Sequence, residues 1–175
     1  MSQHVATVLG CGVAGSWLAH HAVAFGFQKF VLFDPGSDRE TLRTIGPLIS
    51  PVNPMRTCAE SLAKHLLAMN PDLEIETYGA FDLEHGSGAK VEGTIFAAMS
   101  KFSPGVDKCG GVGAFATNHH PLITLGLPTT SSAKIWWGKD LSGLTEDHFG
   151  GPPVISKYEA MLAAAQALGA ILDSK

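Results

Sequence analysis

Three glycines near the start of the chain have the spacing of a nucleotide-binding turn. Gly10, Gly12 and Gly15 stand in GCGVAG, which fits the pattern G-x-G-x-x-G. In such a turn the first glycine allows a tight bend, the second lets the backbone approach a phosphate, and the third lets a helix pack closely on a strand. Asp34 follows about twenty residues later, at the position where an acid can bind ribose hydroxyls. These residues predict a site for a nucleotide or dinucleotide.

The same residues have a second interpretation that involves no ligand. The glycines could serve only to pack a β-α-β unit, with Asp34 capping a turn or a helix. This alternative explains the glycines, but it explains the acid less well. We therefore favour the nucleotide site.

Two arginines follow the acid and suit the recognition of phosphates. Arg43 and Arg56 lie in the segments after Asp34, and guanidinium groups bind phosphate oxygens in a bidentate manner. We predict that both contact the phosphates as catalytic residues, and that Lys101 is a further nucleotide-binding candidate. The alternative for the arginines is solvated surface charge.

These residues require particular elements to position them. An apolar strand is predicted at 5–9, an apolar helix at 16–25, and a second strand at 29–33 that ends at the acid. Further along, the pattern predicts a short helix at 38–44, a helix from Pro54 to Asn70, strands at 73–78, 93–99 and 129–133, and helices at 121–125 and 154–172.

Composition limits the class of protein. The 175 residues are 45% hydrophobic, which suits one globular domain, and the net charge of −4 offers no global attraction to nucleic acid. Three widely spaced cysteines suggest neither a disulfide framework nor a zinc site. The sequence shows neither a secretory signal pattern nor a long uncharged apolar run. We expect a cytoplasmic protein with no membrane or nucleic-acid partner.

The order of motifs resembles the ThiF/MoeB superfamily, the adenylyltransferases related to ubiquitin-activating enzymes. The matching segments are the opening VLGCGVAGSWLAHHAVAFGFQKFVLFDPG, residues 59–76, GLPTTSSAKIWWG at 126–138, and the closing helix after Gly151. The resemblance implies a Rossmann-like, doubly wound α/β fold. Its mainly parallel sheet would carry helices on both faces, in a single nucleotide-binding domain spanning 1–175.

The resemblance also implies a reaction. Such enzymes bind ATP and Mg²⁺ and let a carboxylate, at the C-terminus of a small ubiquitin-like protein or a peptide, attack the α-phosphate. An acyl-adenylate and pyrophosphate form. A homodimer or heterodimer is implied as well.

Several positions depart from the pattern of the family. The second acid of the family is replaced by Gly36, its lysine falls near Cys58, and its metal-binding aspartate corresponds to Met99 or Ser100. No residue is therefore assigned to the metal. Two further functions stay open: a catalytically inactive scaffold or partner subunit, and an NAD-binding Rossmann protein.

Three loop residues could also carry chemistry. Cys109 could accept an acyl group, against the alternative of an ordinary thiol. His119 and His120 could bind phosphate or transfer protons, against the alternative of loop hydrogen bonding.

Overall fold

The computed structural model describes residues 4–79, 93–98, 122–126, 134–138 and 157–173. Strands and helices alternate along the chain in the order β1 (His4–Leu9), α1 (Val13–Ala24), β2 (Phe27–Phe33), α2 (Thr41–Thr44), α3 (Cys58–Met69), β3 (Glu74–Tyr78), β4 (Thr94–Ala97), β5 (Leu122–Gly126), β6 (Lys134–Gly138) and α4 (Lys157–Asp173).

The strands form one sheet in the order β3-β2-β1-β4-β5-β6. Neighbours from β3 to β5 pair in parallel, and β6 runs antiparallel to β5. The chain moves outward from β1 through β2 to β3 and then returns to place β4 on the other side of β1. This reversal creates a switch point, and in open α/β sheets ligands bind outside the carboxyl ends of the strands at such a point. The predicted mainly parallel, Rossmann-like fold is confirmed.

The core lies between the sheet and a layer of helices. Helix α1 contacts both α3 and α4, so these three helices share one layer. In the described strands, Phe27, Phe30 and Phe96 contribute buried aromatic side chains to this core. The predicted second helix layer, on the opposite face, lies outside the described residues.

Two helices begin at other residues than predicted. Helix α1 begins at Val13 rather than Ser16, because the Ser16 N–H already donates to the Gly12 carbonyl at 2.8 Å. Helix α3 begins at Cys58, four residues after Pro54. Its start is fixed by a capping box in which Thr57 and Glu60 satisfy each other's backbone N–H groups.

Other predicted elements differ in extent or type. The short helix covers only Thr41–Thr44, because the backbone before it is paired elsewhere: Ser37 forms a β-bridge with Thr57, and the Asp38 N–H donates to the Arg56 carbonyl. The helix predicted at 121–125 is wrong, because Leu122–Gly126 is the strand β5. Pairing with β4 and β6 on both sides stabilises that strand. The predicted strand at 129–133 lies outside the described residues, and α4 agrees with the predicted closing helix.

A cluster of rings joins the three long helices. Nδ1 of His20 on α1 lies 3.0 Å from Nε2 of His65 on α3. The Lys157 ammonium of α4 lies 5.6 Å from the Trp17 ring centre, and His21 stacks on the same ring. Burial, followed by the charge of His20, lowers the pKa of His65 to about 4. Burial, followed by His21 and Lys157, lowers the pKa of His20 as well.

The His65 pKa predicts a pH-dependent stability. An unfolded histidine has a pKa of about 6.5, so between pH 6.5 and 4 the unfolded state binds more protons than the folded state. The free energy of unfolding should therefore fall as pH is lowered through that range, by on the order of 1–3 kcal/mol. Urea unfolding at several pH values measures this, with His65→Leu as the matched variant. Parallel pH curves for the two proteins would contradict it.

None of the described helices has both the length and the apolar character needed to cross a membrane.

Candidate nucleotide-binding site

The glycine turn joins β1 to α1 at the switch point of the sheet. Gly10 has a φ of 92°, a left-handed conformation that a residue without a Cβ adopts at little cost. Its N–H donates to the Phe33 carbonyl at 2.8 Å, which ties the turn to the end of β2. The predicted tight bend at Gly10 is therefore present.

The other two glycines of the motif differ in their surroundings. A Cβ at Gly15 would overlap the carbonyl oxygen of Gly10, so only glycine lets α1 pack this closely on the turn. A Cβ at Gly12 would meet nothing within 4 Å. The backbone at Gly12 is thus open to a group approaching from outside, as the pattern predicts for the phosphate position.

The N-terminus of α1 has free binding capacity for an anion. Gly12 is its N-cap residue and supplies no side chain, and the first turn contains no acidic residue. The N–H groups of a first helical turn have no intrahelical partner, and the helix dipole places partial positive charge there. This combination is the usual phosphate site of a βαβ unit.

Asp34 connects the end of β2 to the glycine turn. Its Oδ2 accepts a hydrogen bond from the Cys11 N–H at 2.8 Å, and its Oδ1 accepts one from the Gly36 N–H at 2.7 Å. The residue is only 9% exposed. Each carboxylate oxygen has a second lone pair, so the group can still accept a hydrogen bond from a ligand hydroxyl. Asp34 therefore holds the turn in shape and lies where the acid of the pattern is expected.

Two buried thiols adjoin this carboxylate. Cys11 and Cys58 are both free cysteines. Burial raises the pKa of the Cys11 thiol well above its usual value, and the charge of Asp34 raises it further. The pKa of Cys58 is raised by the same two causes in the same order. Neither thiol is a thiolate at neutral pH, so neither is poised as a nucleophile.

The structure places Arg43 in an ion pair. Its guanidinium donates from Nη1 and Nη2 to the two carboxylate oxygens of Asp38, and its Nε donates to the Ser50 carbonyl at 2.7 Å. The Arg43 and Asp38 side chains are only 11% and 1% exposed. The phosphate contact assigned to Arg43 stays a prediction, and it would require the guanidinium to leave these partners or to share its donors.

Asp38 is the centre of a larger network. Besides Arg43, it accepts hydrogen bonds from the Asn53 N–H at 3.1 Å and the Ser61 hydroxyl at 2.8 Å. Its own N–H donates to the Arg56 carbonyl at 2.9 Å. Burial alone would raise the pKa of Asp38, but the hydrogen bonds from Arg43, Asn53 and Ser61 outweigh it and lower the pKa. The network pins the connection between β2 and α3, including the half-buried Arg56.

Comparisons with known proteins identify the architecture. No family profile matches the sequence, and no curated protein matches it either. Among solved structures, E. coli MccB with ATP superposes with a TM-score of 0.72 at 15% identity, over 97% of this chain and 55% of MccB. The microcin C7 biosynthetic enzyme MccB in complex with N-formylated MccA gives 0.70 at 15% identity, over 97% and 56%. E. coli TcdA, a tRNA N6-threonylcarbamoyladenosine dehydratase, in complex with AMP gives 0.62 at 15% identity, over 99% and 87%.

This chain shares the fold of MccB and TcdA. The resemblance seen in the sequence is thereby confirmed for the architecture. The chain spans about half the length of the MccB structures that it matches.

Several residues considered from the sequence lie outside the described residues. These are Lys101 as a nucleotide contact, Met99 and Ser100 at the metal position, and Cys109, His119 and His120. Within the described ranges, no group of three or more His, Cys, Asp or Glu residues could hold a metal ion. The described residues therefore cover only the predicted ribose-binding acid and the start of α1.

The sequence interpretation missed two features of the site region, the network of Asp38 and the capping box at the start of α3. Asp38 was given no role beyond the short helix, although it organises the whole connection after β2. The box Thr57–Glu60 has the readable signature T-x-x-E, and it marks the true start of α3. Asp38 had no local signal, because its partners are brought together only by folding.

Alanine should act differently at Gly12 and at Gly15, because a Cβ has open space at the first position and overlaps the Gly10 carbonyl oxygen at the second. Gly12→Ala should change the free energy of unfolding by no more than about 1 kcal/mol, yet weaken nucleotide binding by at least about tenfold, because its Cβ occupies the approach to the backbone. Gly15→Ala should cost about 2–3 kcal/mol of stability. Chemical unfolding and calorimetric titration separate the two effects. A destabilised Gly12→Ala variant that binds normally would contradict the assignment.

Proposed function

We propose that this chain binds ATP and transfers its adenylyl group to the carboxylate of a peptide or a small ubiquitin-like protein. The observation that carries the proposal is the open backbone at Gly12, set at an uncapped helix N-terminus beside the Asp34 carboxylate. The known structures with this fold include MccB with ATP, MccB with N-formylated MccA, and TcdA with AMP. They support a nucleotide as one ligand and a peptide as the second substrate.

The reaction follows from where the charges would lie. One carboxylate oxygen of the peptide attacks the α-phosphorus, the bond to the bridging oxygen of pyrophosphate breaks, and an acyl-adenylate remains. The N–H groups of the first turn of α1 supply partial positive charge for the phosphates. Asp34 orients the ribose, which holds the α-phosphorus in line with its nucleophile. Mg²⁺, when bound, would offset charge on the departing pyrophosphate.

We also propose that the chain forms a dimer, and this proposal rests on the family resemblance alone.

A nucleotide-binding chain without catalysis is the second candidate. The observation that favours it is the ion pair of Arg43 with Asp38. Of the two predicted catalytic arginines, Arg43 is the one nearer to Asp34 in the sequence. Such a chain would bind ATP but would need another subunit to supply the missing positive charge.

Calorimetric titration of the purified protein with ATP and Mg²⁺, and with NAD in parallel, is the first test. Saturable binding of ATP that exceeds binding of NAD is expected. Binding of NAD alone would replace the proposal by a dinucleotide protein, and binding of neither would reject a nucleotide site. The variant Lys64→Gln, which changes an exposed charge on α3, serves as the control for nonspecific attraction of phosphate.

Exchange of labelled pyrophosphate into ATP then separates catalysis from binding. The proposal expects exchange with peptides that end in a free carboxylate and none with the same peptides amidated at the C-terminus. Binding of ATP without exchange for any peptide in a diverse pool would favour the non-catalytic candidate.

A further inference from the structure

Arg39 lies beside the carboxylate that the pattern assigns to ribose. A Cβ built at Gly36 would lie 2.8 Å from Nη2 of Arg39 and 2.9 Å from Oδ1 of Asp34. The guanidinium and the carboxylate therefore border the same small volume above Gly36. This arrangement exists only because residue 36 has no side chain.

The position of Arg39 is supported from two sides. Its carbonyl accepts hydrogen bonds from the Leu42 N–H and from Nη1 of Arg43, each at 3.1 Å. Its guanidinium interacts with the Cys58 thiol at the start of α3, where its hydrogen bond and charge oppose the effect of burial on the pKa of that thiol. The backbone of Arg39 is thus anchored through Arg43, while the residue itself is exposed.

The two arginines consequently differ in what they can offer a ligand. Donors of Arg43 point at Asp38 and at the carbonyls of Ser50 and Pro51. Arg39 has five N–H donors, stands next to Asp34, and faces solvent at the carboxyl end of the sheet. Of the two, Arg39 is the one whose charge is accessible beside the acid.

We propose that Arg39 is a nucleotide-contacting residue on the ribose side of the site, with Arg43 as the positioning residue that holds it there. This inference rests on the proposed nucleotide site and names a contact that the sequence pattern does not. Asp34 lies at the end of β2, whereas the start of α1 is the place for the phosphate chain. A guanidinium beside Asp34 should therefore contact the nucleoside monophosphate part of the ligand, which AMP and ATP share.

The position of Arg39 beside Asp34 predicts how its removal should affect the binding of AMP compared with ATP. A contact with the shared nucleoside monophosphate part must contribute equally to AMP and ATP binding. A contact with the β- or γ-phosphate would contribute to ATP alone. Comparing the loss of AMP affinity with the loss of ATP affinity after removal of the guanidinium therefore shows which part of the nucleotide Arg39 contacts.

Titration of the Arg39→Gln variant with AMP and with ATP tests the proposal. We expect Kd to rise roughly tenfold for both ligands, as for the loss of one charge-assisted hydrogen bond. Lys64→Gln, an equal change of net charge at an exposed site away from Asp34, should leave both values unchanged. Because Arg39 is exposed, the variant should keep the wild-type unfolding midpoint.

The outcomes separate this inference from the proposed function. If wild-type protein binds neither nucleotide, both are overturned. If it binds and Arg39→Gln binds equally well or more tightly, only the role of Arg39 is rejected. A loss confined to ATP would also reject it, because the guanidinium would then act on the phosphate chain.

Discussion

Replacing Asp34 by alanine is expected to weaken nucleotide binding by about a hundredfold or more. The substitution removes the acceptor for a ligand hydroxyl and, at the same time, the acceptor that holds the Cys11 and Gly36 N–H groups. Hydrogen bonds to a charged group are worth about 1.5–3 kcal/mol each, and the glycine turn loses its tether to β2. Calorimetric titration with ATP and AMP measures the loss.

Matched variants separate the two roles of Asp34. Asp34→Asn keeps one oxygen acceptor but directs an amide donor at the second N–H, so its affinity should fall between those of wild type and Asp34→Ala. Asp72→Asn, an exposed acid after α3, should bind as wild type does. Wild-type affinity in Asp34→Ala would remove the basis for the site.

Replacing Asp38 by alanine is expected to lower the free energy of unfolding by about 3–5 kcal/mol. The cost arises because Arg43 and the Ser61 hydroxyl are left without their acceptor in a nearly buried environment, and an uncompensated buried charge is strongly destabilising. Urea unfolding at neutral pH measures it. Because the folded pKa of Asp38 is lowered, its contribution should be full at neutral pH and be lost as acid protonates the folded carboxylate.

The double variant Asp38→Ala with Arg43→Met distinguishes an ion pair from general packing. Removing both charges should cost less than the sum of the two single variants, since neither partner is then left unpaired. Additive losses would indicate that the pair has no coupling. Loss of the pair should also affect the position of Arg39, because Arg43 donates a hydrogen bond to the Arg39 carbonyl.

The sequence by itself determined the opening β-α-β unit. The positions of Gly10, Gly12 and Gly15 could be interpreted locally, because each glycine answers a constraint of the backbone within a few residues of itself. Asp34 could be placed because it ends a strand at a fixed distance from the turn. The mainly parallel α/β architecture was implied by the resemblance to the ThiF/MoeB superfamily, and the strand order and the solved structures agree with it.

Only the tertiary structure decided what surrounds these residues. Residues 122–126 are a strand because β4 and β6 pair with them on both sides, and the pairing with β4 joins segments that are far apart in the sequence. Arg43 pairs with Asp38, and Arg39 lies beside Asp34, because the connection after β2 folds back on itself. The spacing of these residues in the sequence does not indicate which of them will be in contact. Motif spacing reports backbone constraints along the chain, whereas the partner of a charged side chain depends on which segments pack against it.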